Sequence, residues 1–340
     1  MAQHKLSEGP LLNEDGNLNE GGYAFSLVKK YSRKDIKAGK SRIKEWDYYY
    51  IGDDKYGIAL TIDDNSYMGL VSASILDFEN KSYINKARMF WFTFGRVGLP
   101  ETSEDGDIVK EGNGYYFSFE NKKGKRYLKI FLKDMTKGKD LYVDVMLKPS
   151  SKNSMVIATP FKKNRHFYYN QKINNLIATG EFKYGDLVYK FKKGTLGVLD
   201  WGRGVWTYKN TWYWSSLNVT QDDHKIGWNL GYGFGDTSAA SENMLFVDDK
   251  VYKLEDVEFI IPKNKRKDDF MSPWKIVSKD EDINITFHPI VDRHDKTNAL
   301  IIGQDAHQVF GKFVGTIKTS DGVIKIKDAL GFAEKVSNRW

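Results

Sequence analysis

Carboxylates set among tryptophans can hold a proton at neutral pH and deliver it to an apolar substrate. This chain gathers both in one stretch. Between Leu199 and Asn243 lie Trp201, Trp206, Trp212, Trp214 and Trp228, five of the nine tryptophans, with Asp200, Arg203, Asp236, Glu242 and Asn243 among them. A carboxyl group enclosed by indole rings loses hydration, which disfavours its charged form and raises its pKa. A neutral carboxylic acid protonates an alkene or a leaving oxygen, and ring faces stabilise a developing cation by about 0.5–2 kcal/mol each. Asp200 is the first candidate acid and Glu242 the second. Arg203, between Gly202 and Gly204, is a third candidate, able to grip a carboxylate or phosphate bidentately. A structural reading competes: Asp200 paired with Arg203 pins a tight glycine-rich turn, and an ion-paired Asp is a poor acid. Asp200 and Glu242 also meet the residue requirement for a glycosidase pair, whose outcome depends on their separation.

The tryptophans are candidate ligand contacts. Trp212 and Trp214, two apart, share one strand face. Asn243, His307, Gln308 and Trp46 are further contact candidates. Lys44-Glu45-Trp46 reads as a strand with an outward Lys–Glu pair. The run Gly227 to Asp236 contains a GxGxG pattern, but a dinucleotide fingerprint needs a strand before it and a helix after it. In a β context these glycines mark bulges or close packing. His166, His288, His294 and His307 are scattered without HxH or HExxH spacing, so no metal is expected. No G-x-S-x-G elbow is present. The absence of cysteine excludes disulfides, thiolate metal sites and a Cys nucleophile.

The elements that must position these groups read as strands. Leu141, Val143, Val145 and Leu147 alternate along one face, and no long helical pattern competes. Alternating runs flank Asn121–Gly124, Gly185-Asp186, Asp248-Asp249 and Ser320–Gly322, and turns of this kind between such runs signal hairpins. Lys263 to Lys267 reads as a solvated hairpin loop. The segment Asn298 to Phe310 fits a short helix or a strand. Many short strands at turn-separated intervals mean an all-β barrel or sandwich. With 340 residues, two domains are expected, 1–185 and 186–340, and the lack of a Pro- or Gly-rich linker predicts that they pack tightly. A ligand site is expected near their junction.

The net charge of +7 does not point to nucleic acid, because the lysines are dispersed and outnumber arginine. The first residues lack a basic segment followed by an apolar one, and no run reaches the ~18 apolar residues of a membrane span. A cytoplasmic protein is expected.

Several spaced motifs carry a resemblance over about residues 8–340. They are Arg42-Ile-Lys-Glu-Trp46-Asp-Tyr, GVLDWGRGVW at 197–206, WYW at 212–214, GWNLGYGFGD at 227–236 and SEN at 241–243, then Gln308-Val-Phe-Gly311 and the terminal GFAEKVSNRW. The sequence resembles an uncharacterised bacterial family of unknown function, number twenty-eight-zero-four. More distantly, Leu199-Asp200-Trp201 followed by Trp212-Tyr213-Trp214 resembles the signature of the carotenoid hydratase, AttH-like and lipocalin-type Diels–Alderase group of the calycin superfamily. That resemblance implies two tandem lipocalin-like antiparallel β-barrel domains, an isoprenoid-like apolar small molecule as ligand, and Asp200 as the acid. Gly202-Arg203 stands where those relatives carry His-Glu. Three functions stay open. The first is a hydratase, dehydratase, isomerase or cyclase that needs no cofactor. The second is a lipocalin-like binding protein for a lipid or other hydrophobic ligand, without chemistry. The third is a carbohydrate-active protein.

Overall fold

The structure, a computed structural model, describes residues 3–299 and 302–339. Strands dominate, and the helical elements among these residues are single 3₁₀ turns at Arg33–Asp35 and Lys40–Arg42. Period-two alternation makes the strands. Along Lys139–Lys148, Leu141, Val143, Val145 and Leu147 are buried while Tyr142 and Asp144 face solvent. Turn chemistry joins them. Lys123 and Gly124 both take positive φ, 55° and 76°, between Tyr115–Lys122 and Lys125–Thr136, and this matches the twist of paired strands. The turns after Tyr184, Val247 and Thr319 also close antiparallel pairs. Lys263–Asn264 and Lys267–Asp268 form the small basic hairpin. Asn298 to Phe310 is strand wherever it is described, within the hairpin of Ile283–Ala299 and Ile302–Thr319. Residues 300 and 301 lie outside the described residues.

Two large sheets result. The first runs from Ser82–Trp91 through Met68–Asp77, Tyr56–Asp64, Ile43–Gly52, Leu196–Val205, Phe167–Tyr184 and Lys139–Lys148 to Lys125–Thr136, Tyr115–Lys122 and Ile108–Gly112. The second runs from Lys250–Lys253 through Met244–Val247, His224–Tyr232, Lys209–Gln221 and Gly322–Arg339 to Ile302–Thr319, Ile283–Ala299, Trp274–Ser278 and Val257–Ile260. The chain passes between them after Val205 and before Lys209. The division expected at 185 falls inside the hairpin joining Phe167–Tyr184 to Leu187–Lys190, both in the first sheet. A Gly-Asp turn marks a reversal of direction, not a change of sheet.

Each sheet curls round its own apolar core. Leu60, Phe117 and Phe167 lie in the first, Trp228, Trp274 and Phe287 in the second. The backs of the two sheets then meet. Tyr50 and Val198 from the first sheet pack on Trp214, Phe310 and Phe332 from the second. Tyr50 and Phe310 rings lie 5.1 Å apart, Trp214 and Phe332 rings 4.8 Å. Fully burying such a side chain stabilises by about 1.5–3 kcal/mol, which fixes the sheets against each other. Strand alternation decides which residues enter this layer. Along Leu196–Val205, Leu199 and Trp201 enter the first core, while Val198 faces the second sheet. Asp200 points the same way as Val198.

Candidate functional site

The layer between the sheets is apolar at one end and polar at its centre. From the first sheet, Ile43–Gly52 supplies Tyr48, Phe167–Tyr184 supplies Asn170 and Lys172, and Leu196–Val205 supplies Asp200. Register sets the neighbours, because Asp200 stands opposite Lys172 on one side and Tyr48 on the other. Lys172 Nζ lies 3.1 Å from Asp200 Oδ1, and Asn170 Nδ2 donates to the same oxygen at 2.6 Å. From the second sheet come Trp214, Glu334 and Gln308, aligned across three adjacent strands. Trp212 Nε1 donates to Glu334 Oε1 at 2.7 Å and Gln308 Nε2 to Glu334 Oε2 at 2.9 Å. The Tyr48 hydroxyl crosses between the sheets to donate to Gln308 Oε1 at 3.2 Å.

Glu242, in the loop after His224–Tyr232, closes the site. Its Oε2 accepts from Asn229 Nδ2 at 2.9 Å, and Asn229 Oδ1 accepts from Trp214 Nε1 at 2.6 Å. Two glycines make room. A Cβ on Gly202 would lie 2.3 Å from the Trp46 ring, and one on Gly231 would lie 2.5 Å from Glu242 Oε1. Beside the polar centre stands an aromatic wall. Trp206 packs edge-on to Trp46 at 5.2 Å and to Phe234 at 5.3 Å, and Phe234 meets Tyr168 at 4.8 Å and Trp212 at 5.2 Å.

Burial governs the electrostatics. The Glu334 carboxyl is pushed up to about 6 by desolvation, with the Trp212 and Gln308 hydrogen bonds and the Lys172 charge opposing. Part of Glu242 reaches the surface, but its carboxyl end is dehydrated and its pKa rises, against the pull of Lys172. Burial and nearby carboxylates also raise the Tyr48 and Tyr168 hydroxyls, so both remain proton donors. Lys172 is the cation shared by Asp200, Glu242 and Glu334. Its Nζ also sits 3.7 Å from the centroid of the Trp214 ring, a cation–π contact. Arg293 adds a second positive charge near Glu334. Asn170 Oδ1 is buried and meets no donor among the described residues.

The sequence profile of a family described as a domain of unknown function, DUF2804, matches residues 3–340. The chain belongs to this family. No curated protein matches it by sequence. Among solved structures, a protein from Nitrosomonas europaea assigned as AttH superposes with a TM-score of 0.54 at 10% identity, covering 92% of this chain and 98% of that one. Kievitone hydratase from Nectria haematococca superposes with a TM-score of 0.51 at 11% identity, covering 98% of each chain. At these identities the likeness is one of fold, that of tandem lipocalin-like β domains.

Within this DUF2804 chain the residues singled out by sequence fall in different places. Asp200, Trp212, Trp214, Glu242, Gln308 and, at the wall, Trp46 and Trp206 come together between the sheets. Arg203 and Trp201 do not join them. They point into the first core, where Arg203 binds Asp47 Oδ1 at 3.0 Å, Trp46 O at 2.7 Å and Pro100 O at 2.8 Å. The Asp200–Arg203 pair considered from sequence does not form, because residues 200–205 are strand rather than turn and the two side chains take opposite faces. Trp228 lies in the second core with Nε1 bonded to Ser215 Oγ, and Asn243 ties Gly231 N to Glu255 O. His307 faces away from the layer, stacked on Phe270 at 3.7 Å. Lys44 and Glu45 are both buried, not an outward pair, because Ile43–Gly52 is covered on both faces.

Lys172, Glu334, Tyr48, Tyr168 and Asn170 were not singled out from sequence. Glu334 left one signal. It shares a strand face with Phe332 and Val336, an acid on an apolar face.

Proposed function

We propose that this protein is a cofactor-independent enzyme of the hydratase, dehydratase, isomerase or cyclase type, acting on an apolar isoprenoid-like molecule, with Glu334 as its general acid. The observation that carries this reading is a fully desolvated carboxyl at about 6, set where aromatic rings converge. A group poised near the working pH carries a proton and still gives it up. Protonated Glu334 delivers its proton to an alkene carbon or a leaving hydroxyl. The rings of Trp212 and Trp214 face the cation that forms. Glu242 or Asp200, held by Lys172, then takes a proton from the cation or from the water that attacks it. Asn170 Oδ1 offers an acceptor to a polar group of the substrate. The two solved relatives above include a hydratase by name, which suits this class of chemistry.

One observation favours binding without chemistry as a second reading. Asp200, the acid implied by family resemblance, is engaged by both Lys172 and Asn170. The enclosure of the carboxylates between two sheets argues against an open sugar cleft.

The test begins with native mass spectrometry of the purified protein and organic extraction of what it holds. The released compound is then incubated in deuterated water with wild type and with Glu334→Gln. Deuterium enters the product with wild type and not with the variant under the enzymatic reading. Equal incorporation removes Glu334 as the acid. Binding without turnover in either protein selects the second reading.

A further inference from the structure

On the outward side of the Ile283–Ala299 and Ile302–Thr319 hairpin, cross-strand register sets His294 directly opposite His307. Asp305 lies two residues before His307, on the same face. One donor atom from each of His294, Asp305 and His307 lies within 4.8 Å of the others. His294 Nε2 is 2.8 Å from Asp305 Oδ1, and His307 Nε2 is 3.4 Å from that same oxygen. Tetrahedral coordination with bonds of about 2.0–2.1 Å puts neighbouring donor atoms ~3.3 Å apart, so the spacing suits a common ion.

The orientation of His307 strengthens the case. A neutral imidazole carries one N–H. Asp292 Oδ2, 2.7 Å from His307 Nδ1, claims it there. The lone pair of Nε2 is then turned toward Asp305 Oδ1, which in turn accepts the Nε2–H of His294. Shifting the His294 proton to Nδ1 leaves three donor atoms converging on one point, which a cation can occupy. A carboxylate that fixes the tautomer of a ligating histidine is the usual supporting partner of a metal site. Phe270, stacked on His307 with ring planes 11° apart, holds the imidazole plane. His294 stacks on the other side at 3.9 Å and is partly exposed, so it turns about its broad χ2 torsion to meet the ion. Asp292 and Asp305 bring two negative charges against the single ammonium of Lys296, which binds Asp305 Oδ2 at 2.8 Å.

We propose that His294, Asp305 and His307 form a site for a divalent transition-metal ion of the zinc type, with a fourth position open to water and Asp292 as the orienting residue. Two imidazoles and one carboxylate suit such an ion better than calcium or magnesium, which favour oxygen donors. The site clamps the long hairpin. His307 adjoins Gln308, but strand alternation sends Gln308 to the layer between the sheets and His307 outward, so zinc binding does not depend on the acid role given to Glu334.

The experiment is calorimetric titration of the chelator-treated full chain with zinc chloride, paired with thermal unfolding with and without zinc. Wild type binds one equivalent and melts at a higher temperature with zinc. Asp292→Asn weakens binding about 10–100-fold, and His294→Ala with His307→Ala abolishes it while the protein still folds without metal. Lys296→Gln, which frees Asp305, tightens it. No saturable binding by wild type overturns the proposal. So does undiminished binding by the double variant, which assigns the zinc to other histidines such as His4 or His224.

Discussion

Two buried polar networks lie back to back on Leu196–Val205, one centred on Arg203 and the other on Asp200. Around Arg203 the charges pair off, each carboxylate touching a guanidinium, although burial raises the Asp47 carboxyl here too. Arg203 and Arg33 face Asp47 and Glu45, and Arg203 reaches three backbone carbonyls as well. Glu45 Oε1 also accepts from the Tyr31 hydroxyl at 2.7 Å. Around Asp200 they do not match. Asp200, Glu242 and Glu334 face Lys172 and Arg293, with Lys253 beyond Glu242 pushed down to about 7 by burial. Burial accordingly raises the Glu334 and Glu242 carboxyls. A balanced network holds a fold rigid. Under the proposed function the unbalanced one holds the proton that is transferred, and raised carboxyls are common where chemistry is done.

The contrast can be broken by substitution. Arg203→Met leaves Asp47 buried without its contacting cation, while Glu45 keeps Arg33, and a loss of about 3–5 kcal/mol is expected in chemical denaturation. Arg203→Lys does not restore it, since one ammonium cannot replace a five-donor fork. Lys172→Met strands Asp200 with only the Asn170 amide, and about 2–3 kcal/mol is expected to be lost. It also raises Glu334 and Glu242 further, moving the alkaline limb of any pH–rate profile upward. A Lys172→Met loss with no shift in that limb would put both networks in the same structural class.

The third prediction follows from linkage. Glu334 has a folded pKa of about 6 against an ordinary 4.5. A raised folded pKa means that its stabilising contribution is complete below 4.5 and is lost as pH rises through 6. The amount is about 2 kcal/mol. Glu334→Gln is therefore expected to flatten the decline of stability between pH 4.5 and 7 by about that much, as read from denaturant midpoints across the range. An unaltered slope would mean that the folded pKa of Glu334 is not raised. The smallest effect belongs to Trp212→Phe. It removes one hydrogen bond to the Glu334 carboxylate and is expected to raise that pKa by less than about 1 unit, visible in the same profile.

The hairpins were legible because their signal is local. Lys123-Gly124 and Asp248-Asp249 carry their turn chemistry in adjacent residues. The shared face of Trp212 and Trp214 was legible for the same reason, since alternation needs only spacing. The centre of the site was not. Lys172 meets Asp200 across a strand pair, and Glu334 meets Gln308 through a register set by a turn at 320–321 and shifted by an irregularity between Phe313 and Gly315. Arg203 misled because Gly-Arg-Gly suggests a turn, whereas here the glycines let strands and the Trp46 ring approach closely. His294 and His307 are 13 residues apart, and only the register of their hairpin sets them face to face.

The pairing of Leu196–Val205 with Ile43–Gly52 carries a consequence for how the chain is made. The strand that completes the middle of the first sheet lies about 150 residues after the one it joins. Loops of that length must close before the contact is rewarded, and such non-local pairing folds slowly. During synthesis the edge of Ile43–Gly52 stays without its neighbour until Val205 has left the ribosome. An unpaired strand edge invites association with other chains. The Asp200 face is thus among the last surfaces of the first sheet to be covered.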